Sequence, residues 1–566
     1  MKLRHLQIDN FRGLKSLGLE FGDTTVLIGE NNTGKTTVLD ALKYALREVR
    51  SRKGCAFDAY DFHLPDASAK PSSAPPIRLR LTFKEDQPGE WGDERTGRLS
   101  RAKILQVDAN GFSVVILEVT GQFDPVANDF TQDWNFLNLE GQPLSNLTDS
   151  VLGQFQNEVS YNYLPSLRDA TRQFDAKGVF WRPFLKESKL TPEKQKEIEG
   201  MLAEVNHIIV DSHDSFSKVT THLQDVNRVV PLAGATDGVS IDAVPGRLFE
   251  ILAKAQVNLG TSTGAKMPVS RHGEGMQSLA VLMLFKAFLQ TWQQVTPIVA
   301  LEEPEAHLHP SAKRTLWHLI EEIPGQKIIS THSGDILAEV PPEAVTRLHS
   351  KAGKITASRL IDAALNSDEQ RKFNFHIRQS RGELLFARCW LLGEGPTEAT
   401  LIPAVARHLK LDLEQTGVRC VTYQTGISME TCLKVANAMG IAWVVLADND
   451  EQGADDRQKV RNNLNGRNES DVLFMMPESN IEEHLCINGF GSVYEAFLTE
   501  DTRSRVIAVS GDKEYWPQVM KAIKNLRNFS KPAAIQGVVQ QIITGTPIPE
   551  LLTQVIKAAI QESQSL

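Results

Sequence analysis

The chain has 566 residues, of which 41% are hydrophobic and 23% are charged, and its formal net charge is −9 at pH 7. One hydrophobic core rarely supports a chain of this length, so we expect about two to four domains. No apolar run approaches the ~18 residues that a membrane helix needs, and the N-terminal stretch has no apolar signal core, so we expect a cytoplasmic protein. The five cysteines form no Cys-x-x-Cys pair, which argues against a zinc site or a disulfide framework.

The stretch "TTVLIGENNTGKTTVLDALKYAL" predicts a strand, a glycine-containing loop and a helix in succession. Gly29, four residues, and then Gly34, Lys35 and Thr36 match the phosphate-binding loop pattern. Backbone N–H groups of the loop and of the helix N-terminus would bind the phosphates of ATP. Lys35 would reach the β- and γ-phosphates, and the Thr36 hydroxyl would bind Mg²⁺. Further nucleotide-binding candidates in the same loop are Asn31, Asn32 and Thr37.

A second group of motifs follows far downstream. "TPIVALEEPEAHLHP" predicts an apolar strand that ends at Glu302 and Glu303, an arrangement that holds magnesium and polarises the attacking water. "KIIST" predicts another strand, which is followed by His332. Ahead of both, "SRHGEGMQSLAVLMLFKAFL" predicts a long apolar helix that is opened by Gly273 and Gly275.

These motifs, in this order, resemble the ATP-binding-cassette ATPases of the SMC and recombination-mediator type, and the resemblance extends to "IDNFRGLKS" near the N-terminus. The resemblance implies that Glu303 is the general base of ATP hydrolysis, that Arg12 lies near the nucleotide, and that His332 senses the γ-phosphate. It also implies that Gly275 contacts ATP bound to the opposite subunit. We therefore expect a homodimer or a larger homo-oligomer.

Two features depart from the usual pattern of that group. Glu302 stands where an aspartate is common, and the signature differs from the Leu-Ser-Gly-Gly form. A glutamate still supplies a hard oxygen ligand, so Glu302 remains the expected Mg²⁺ ligand beside Thr36. We interpret His307 and His309 as capping or packing residues, because their spacing fits no metal motif.

The segment between the two motif groups is charged and has helical periodicity, notably "KESKLTPEKQKEIEGMLAEVNHIIVDSHDSFSKVTTHL". We predict a helical insertion with the dimer contacts over residues 151–250, between ATPase parts at 1–150 and 251–365. A coiled coil is the weaker alternative, because no heptad run is sustained. Arg168, just before this stretch, is either a phosphate-sensing arginine or a surface charge.

From residue 366 to 566 the chain alternates short strands with helices, which is typical of a parallel sheet with helices on both faces. Functional groups in such sheets gather beyond the carboxyl ends of the strands. Glu394 follows the strand in "CWLLGEGPTEATLIPAVARHL", and Asp448 and Asp450 follow the strand in "IAWVVLADND", so we expect them to converge on one ion. Glu398 lies one helical turn after Glu394, on the same side.

The acidic stretch "VVLADNDEQGADD" has two other interpretations, a solvated surface loop and a calcium loop. A calcium loop that starts at Asp448 has Gly453 correctly at its sixth position. Its twelfth position, which needs a bidentate glutamate, is Lys459. The calcium loop is therefore excluded.

"GEGPTEA" and "ADND" resemble the TOPRIM domain of topoisomerases, primases and a group of nucleases, in which these acids bind divalent metal for phosphodiester chemistry. An SMC-like ATPase followed by TOPRIM resembles the OLD (overcoming lysogenisation defect) family of nucleases, also through "GENNTGKTT", "LEEPEAHLHP" and "STHSGDIL". The closest class works beside a helicase and includes the nuclease subunit of the Gabija anti-phage system. The resemblance implies Glu482 as a later metal ligand, with Glu483 as its competitor, and Lys531 as a cation that stabilises the phosphate charge.

The sequence thus predicts an α/β protein in which an ABC/SMC-like ATPase with a helical dimerisation insertion precedes a C-terminal TOPRIM domain. The expected function is an ATP-regulated DNA endonuclease with one Mg²⁺ at ATP and two Mg²⁺ or Mn²⁺ ions at TOPRIM. One of these two would be held by Glu394, Asp448 and Asp450, and the other through Glu398 and Glu482. A helicase partner and an anti-phage role follow from the resemblance alone.

Two alternatives remain open: a nucleotide-gated DNA clamp without cleavage, and a topoisomerase-like enzyme with Tyr515 as nucleophile. The tail "KEYWPQVMKAIKNLRNFSK", which has aromatic residues among basic ones, is either a DNA-backbone surface or a basic surface helix.

Overall fold

The computed structural model describes residues 1–49, 55–66, 68–166, 170–174, 178, 180–186, 191–215, 219, 243, 257–260, 266–292, 295–351, 353–363, 365–379, 382–423, 426–526 and 529–565. The chain divides into two compact units. The first contains Met1–Leu164, Val295–Glu305 and Pro310–Leu566, and the second contains Pro165–Gln294 and Ala306–His309.

The strands are numbered in chain order. They are β1 Leu3–Phe11, β2 Leu14–Glu20, β3 Thr24–Gly29, β4 Ile77–Lys84, β5 Gln106–Val107, β6 Ser113–Asp124, β7 Asp129–Leu137, β8 Ser160–Leu164, β9 Asn258–Leu259, β10 Met267–Pro268, β11 Pro297–Glu302, β12 Gln326–Ser330, β13 Val345–Lys351, β14 Lys354–Arg359, β15 Cys389–Gly393, β16 Val418–Thr422, β17 Ala442–Ala447 and β18 Leu473–Met475.

The α-helices of the described residues are Lys35–Lys43, Gly92–Arg101, Val151–Gln156, Ala170–Gln173, Arg182–Lys186, Pro192–Asp211, Glu274–Trp292, Pro310–Glu321, Gly334–Leu337, Ser367–Gln379, Pro396–His408, Met429–Met439, Glu451–Asn462, Glu469–Val472, Ile481–Leu485, Gly491–Glu495, Glu500–Arg503, Tyr515–Ile523, Lys531–Ile543 and Glu550–Gln564.

Two sheets form the N-terminal part of the first unit. An antiparallel sheet has the order β2-β1-β4-β6-β5, with β7 beside β6. The second sheet has the order β14-β13-β3-β12-β11-β8, and all of its neighbours are parallel except β13 and β14. Because β3, β11 and β12 run in the same direction, the phosphate loop, the Glu302 end and the His332 end lie at one edge. The strands predicted before these motifs are all present.

The C-terminal sheet has the order β16-β15-β17-β18, and every pair in it is parallel. Its two central strands, β15 and β17, are apolar on both faces, and the helices Lys531–Ile543 and Glu550–Gln564 share their hydrophobic core with the sheet. The predicted α/β fold class with a C-terminal parallel sheet is therefore confirmed. The residues that follow β15, β16 and β17 meet at one edge.

The second unit contains the helix Glu274–Trp292, predicted from the apolar run after Gly273, and the helix Pro192–Asp211, predicted from the charged run. The Thr191 hydroxyl caps the latter helix by accepting from the Lys194 N–H. Much of the predicted dimerisation insertion at 151–250, and Arg168 as well, lies outside the described residues. The role of this insertion stays a prediction. None of the described helices is long and apolar enough to cross a membrane.

Candidate nucleotide and metal sites

The phosphate loop joins β3 to the helix Lys35–Lys43. At Gly29, φ is 147° and a Cβ would lie 2.2 Å from the Leu348 carbonyl oxygen, so the position requires glycine. The Lys35 side chain is 6% exposed, and its amino group donates to the carbonyls of Gly29 at 2.9 Å and Glu30 at 2.8 Å. Burial lowers the pKa of Lys35 to about 8. Phosphate oxygens would offer this cation stronger acceptors than the two carbonyls.

The other loop candidates are arranged around this lysine. Asn31, Asn32 and Thr36 are exposed, and Thr37 is half-buried at the start of the helix. Gly34 has φ 90°, which a side chain would strain. The exposed side chains are therefore accessible to a nucleotide.

Thr36 and Glu302, which are far apart in sequence, contact each other. The Thr36 hydroxyl donates to Glu302 Oε1 at 2.6 Å, and the Tyr163 hydroxyl donates to Glu302 Oε2 at 2.6 Å. A hydroxyl and a carboxylate together are the hard oxygen ligands that Mg²⁺ prefers, so the pair fits the ion expected with ATP. Sequence reasoning missed Tyr163, because only the pairing of β8 with β11 brings it here.

Glu303 and His332 also lie together, with His332 Nε2 3.6 Å from Glu303 Oε1. Burial and the Lys35 charge lower the pKa of His332. Glu305, which we did not predict, is buried and accepts from the Thr331 hydroxyl at 2.6 Å and the His332 N–H at 3.1 Å. Glu305 thus holds the backbone of the predicted γ-phosphate sensor.

Arg12 is held by two carboxylates. Its guanidinium donates to Asp40 at 2.5 Å and to Asp61 at 2.8 Å. Burial alone would lower the pKa of Arg12, but the hydrogen bonds to Asp61 and Asp40 raise it. This arginine is a fixed cation, and its predicted contact with the nucleotide stays a prediction.

Gly275 belongs to the second unit. A Cβ there would lie 2.8 Å from the His307 carbonyl oxygen, so the glycine permits close packing of the two backbones. His307 Nδ1 lies 3.0 Å from Glu274 Oε2. These contacts agree with a packing role for His307. The predicted contact of Gly275 with another subunit's ATP stays a prediction.

Glu394 and Asp448 meet at the carboxyl edge of the C-terminal sheet. They follow the neighbouring strands β15 and β17, and their side chains are close enough to hydrogen-bond each other when one of the two carboxyls is protonated. Burial raises the pKa of both groups, and the charge of Glu394 further raises the pKa of Asp448. The Asp450 charge adds to the rise at Glu394. Close negative charges of this kind are the electrostatic condition under which a carboxylate cluster attracts a cation.

Glu398 and Glu482 border the same cluster. Glu398 is 4% exposed, and its Oε2 accepts from the Gly395 N–H at 3.0 Å. Burial and the charges of Glu482 and Glu394 raise the pKa of Glu398 to about 7. Glu482 Oε1 accepts from Lys531 at 2.7 Å and from the Thr397 hydroxyl at 3.1 Å. Sequence reasoning did not predict Thr397 as a residue of this site.

The neighbouring Glu483 is hydrogen-bonded to Asn480. It accepts from the Asn480 side-chain amide at 3.3 Å, and its backbone N–H donates to the same residue at 3.0 Å. Lys531 interacts instead with Glu482, Glu398 and Asp448. Burial alone would lower the pKa of Lys531, but the hydrogen bond to Glu482 and the charges of the other two acids raise it. Geometry therefore favours Glu482 over Glu483.

Within the described ranges, no three His, Cys, Asp or Glu side chains already form a metal-binding group. Local donors occupy the acids instead: Asp450 Oδ1 accepts from the Gly453 N–H at 2.8 Å, and Lys531 neutralises Glu482. The donor set consists of carboxylate oxygens, which suits Mg²⁺ or Mn²⁺. The residues present therefore fit such ions, provided that these local contacts are exchanged on binding.

The aromatic residues of the basic tail are mostly packing residues. Phe529 makes an edge-to-face contact with Phe497 at 5.3 Å, and Trp516 packs so closely on Gly491 that a Cβ there would lie 1.9 Å from the indole. The Tyr515 hydroxyl donates to Glu495 at 2.5 Å. These three side chains are half-buried, so they contribute to the fold more than to a stacking surface for bases.

The phosphate loop contacts the C-terminal sheet within the first unit. The Arg388 Nε and Nη2 atoms donate to the two carboxylate oxygens of Glu30, which follows Gly29. The hydrogen bond from Arg388 lowers the pKa of Glu30. Arg388 directly precedes β15, and its backbone N–H donates a hydrogen bond to the Gly417 carbonyl at 2.8 Å. A bidentate ion pair thus joins the phosphate loop to the start of β15, the strand whose other end precedes Glu394.

Arg347 makes a second contact between the sheet that carries the phosphate loop and the C-terminal sheet. It lies on β13, opposite Ile28 of β3, and is 2% exposed. Its guanidinium donates to the carbonyls of Met439 at 3.0 Å, Gly440 at 2.7 Å and Ala387 at 2.9 Å. These carbonyls lie just before β17 and β15, so a buried arginine ties the strand beside the phosphate loop to the strands that end in the acids.

Together these features define the class of protein: an α/β protein in which a phosphate-loop motif at the edge of a mainly parallel sheet is joined in one chain to a second parallel sheet with acids at its carboxyl edge. Residues 1–221 and 259–383 match the family described as "Protein of unknown function (DUF2813)". The chain therefore belongs to this DUF2813 family. Residues 385–450 match "Overcoming lysogenization defect protein-like, TOPRIM domain", which confirms the resemblance to the OLD family.

Three curated relatives cover most of the chain. The Escherichia coli (strain K12) protein "Uncharacterized protein YbjD" is 27% identical over 87% of this chain and 88% of its own length. The "OLD nuclease" of Thermus scotoductus (strain ATCC 700910 / SA-01) is 23% identical over 95% of this chain and 98% of its own length. "Endonuclease GajA" of Bacillus cereus (strain VD045) is 24% identical over 80% of this chain and 75% of its own length. The latter two relatives are named as nucleases.

Proposed function

We propose that this protein is an ATP-regulated, metal-dependent DNA endonuclease. The meeting of Glu394 and Asp448 at one edge of a parallel sheet, with Lys531 beside Glu482, is the observation that supports it most directly. Relatives named as nucleases support the reaction class. A scaffold without chemistry has no need for several buried acids that raise one another's pKa values.

In the proposed reaction, Glu394, Asp448 and Asp450 would hold one divalent ion, and Glu398 and Glu482 would hold the other. Two such ions would lower the pKa of an attacking water and stabilise the leaving oxygen. Lys531 exchanges its contact with Glu482 for the phosphate and neutralises its charge. In the ion-free protein Asp450 caps the helix Glu451–Asn462, which places the start of this helix beside the site.

We further propose that Lys35, Thr36, Glu302 and Glu303 bind and hydrolyse Mg²⁺-ATP, with His332 as sensor. The proposed assembly is a homodimer or larger homo-oligomer through the insertion at 151–250, between ATPase parts 1–150 and 251–365 and ahead of the TOPRIM part 366–566. A helicase partner and an anti-phage role are proposed from the resemblance to the Gabija class.

The first test is cleavage of plasmid and linear DNA by the full chain with Mg²⁺, Mn²⁺ or EDTA, with and without ATP. We expect cleavage with either metal and none with EDTA. ATP hydrolysis without cleavage of any substrate would favour the clamp instead. A covalent protein–DNA adduct that Tyr515→Phe abolishes would favour the topoisomerase-like alternative.

The Arg388–Glu30 ion pair supports ATP regulation, because nucleotide must displace Lys35 from the Glu30 carbonyl. Arg388→Ala should leave nucleotide-free cleavage near the wild-type rate and reduce the change caused by ATP by about 5-fold, the lower end of typical coupling between sites. The measurement is the ratio of cleavage rates with and without ATP, with ATP affinity determined separately.

Arg359→Ala is the matched control, since this arginine forms an exposed pair with Asp362 at 3.0 Å. It should leave the ATP response unchanged. An unaltered response in Arg388→Ala, with ATP bound normally, would show that the ion pair does not transmit the effect.

A further inference from the structure

Glu302, the predicted Mg²⁺ ligand at the end of β11, accepts a hydrogen bond on each of its carboxylate oxygens. The Thr36 hydroxyl donates to Oε1 at 2.6 Å, and the Tyr163 hydroxyl donates to Oε2 at 2.6 Å. Thr36 belongs to the phosphate loop and is itself a predicted ligand. Tyr163 lies outside every nucleotide-binding motif of the sequence, and the proposed function gives it no role.

The pairing of two strands brings Tyr163 to this carboxylate. β8 is the last strand in the order of its sheet and runs parallel to β11, where Ala300 is the residue opposite Tyr163. Side chains alternate along a strand, so Glu302, two residues beyond Ala300, projects from the same face. The small alanine side chain leaves space beside β8, and the long tyrosine side chain reaches along β11 to the carboxylate.

The ring of Tyr163 is held in place by its packing. The residue is half-buried and packs against the hydrophobic core that contains Leu39 and Ile298. Burial raises the pKa of Tyr163, and the hydrogen bond to Glu302 raises it further. The phenol therefore stays protonated at neutral pH and donates to the carboxylate, so the packing of the ring determines where Oε2 lies.

The contact between Thr36 and Glu302 is compatible with an ion at the same place. A hydroxyl group has one proton and two lone pairs, so Thr36 can donate its proton to Oε1 while its oxygen faces an ion. Because Tyr163 holds Oε2 at the same time, the carboxylate has a fixed direction before any ion is bound. Hydrogen bonds from outside the ligand set orient metal ligands in this way.

We propose that Tyr163 is a positioning residue that holds the Glu302 carboxylate in the orientation needed for the Mg²⁺ of Mg²⁺-ATP. The loss of such an outer hydrogen bond typically weakens metal binding about 10- to 100-fold. Because Tyr163 acts through Glu302, its removal should change the requirement for Mg²⁺ and leave metal-free nucleotide binding unchanged. This inference rests on the Mg²⁺-ATP site of the proposed function.

The test measures binding of a fluorescent, non-hydrolysable ATP analogue to the full chain, in EDTA and over a series of Mg²⁺ concentrations. We expect Mg²⁺ to tighten binding by the wild-type protein. Tyr163→Phe should need about 10- to 100-fold more Mg²⁺ to reach half of that gain, with wild-type affinity in EDTA. In a Glu302→Gln background, Tyr163→Phe should add little, because both changes act on the same ligand.

Tyr161→Phe is the matched control, because it removes a hydroxyl from the same face of the same strand. The Tyr161 hydroxyl donates to the Leu39 carbonyl at 2.9 Å and the residue is buried. This variant should therefore melt at a lower temperature than wild type and keep the wild-type requirement for Mg²⁺.

The outcomes separate the inference from the proposed function. A wild-type Mg²⁺ requirement in Tyr163→Phe would overturn the inference and leave the proposed ATP binding intact. Binding that is weakened equally in Mg²⁺ and in EDTA would also overturn it, because Tyr163 would then have a purely structural role. Wild-type protein whose nucleotide binding Mg²⁺ does not strengthen would overturn the proposed Mg²⁺-ATP site and the inference together.

Discussion

Asp448→Asn should reduce metal-dependent cleavage by about 100- to 1000-fold and raise the stability of the ion-free protein at alkaline pH. The loss has the size seen when one charge-stabilising group is removed from an active site. The gain in stability follows from the pKa values of Asp448 and Glu394, which burial raises in the folded state; the Glu394 charge raises that of Asp448 further, and the Asp450 charge raises that of Glu394. Asparagine keeps the shape of the side chain and removes one of the two charges.

The sign of the pH effect follows from proton binding. The folded protein holds a proton at this pair that the unfolded chain releases above about pH 4. Wild-type stability in EDTA should therefore fall as pH rises from about 4 through the raised folded pKa values. Asp448→Asn should flatten this slope, so that its melting temperature exceeds the wild-type value by a few degrees at pH 8.5 and by less at pH 5.5.

The measurement is thermal unfolding in EDTA at both pH values, beside the cleavage assay. Asp455→Asn is the control, because this exposed aspartate lies in the helix Glu451–Asn462 that begins beside the site. Asp455→Asn should change neither the dependence of thermal stability on pH nor the rate of DNA cleavage. A wild-type pH slope in Asp448→Asn would show that the two carboxyls do not share a proton.

Lys35→Met should weaken ATP binding by roughly 10- to 100-fold and abolish the effect of ATP on cleavage. Hydrogen bonds to charged groups contribute about 1.5–3 kcal/mol, and the buried Lys35 is the cation at the predicted phosphate position. Cleavage without nucleotide should persist, because the acids of the C-terminal sheet are unchanged. Binding of a fluorescent ATP analogue and cleavage with and without ATP are the two measurements.

Lys35 also predicts a pH effect. Burial lowers its pKa to about 8, so the folded protein releases this proton more readily than the unfolded chain. Nucleotide-free stability should therefore rise between about pH 8 and the ordinary lysine value near 10.5, and Lys35→Met should lack this rise. Lys43→Met, which removes a lysine paired with Glu48 at 3.0 Å in the same helix region, is the control. Normal ATP binding by Lys35→Met would contradict the assigned phosphate loop.

The sequence by itself determined the local elements and their chemistry. Apolar runs that end in "GENNTGKTT", "LEEPEAHLHP" or "ADND" predicted strands with functional groups at their carboxyl ends, and β3, β11 and β17 are such strands. Such signals are local, because consecutive residues determine both the hydrophobicity of a strand and the turn that follows it. The resemblance to the OLD family rested on the same motifs.

Only the tertiary structure decided which distant groups meet. Tyr163 reaches Glu302 because β8 pairs with β11, and Arg388 meets Glu30 although 358 positions separate them. Strand order and side-chain packing arise from long-range contacts, which no periodicity within a segment encodes. The contact between the phosphate loop and the start of β15 is therefore a property of the fold.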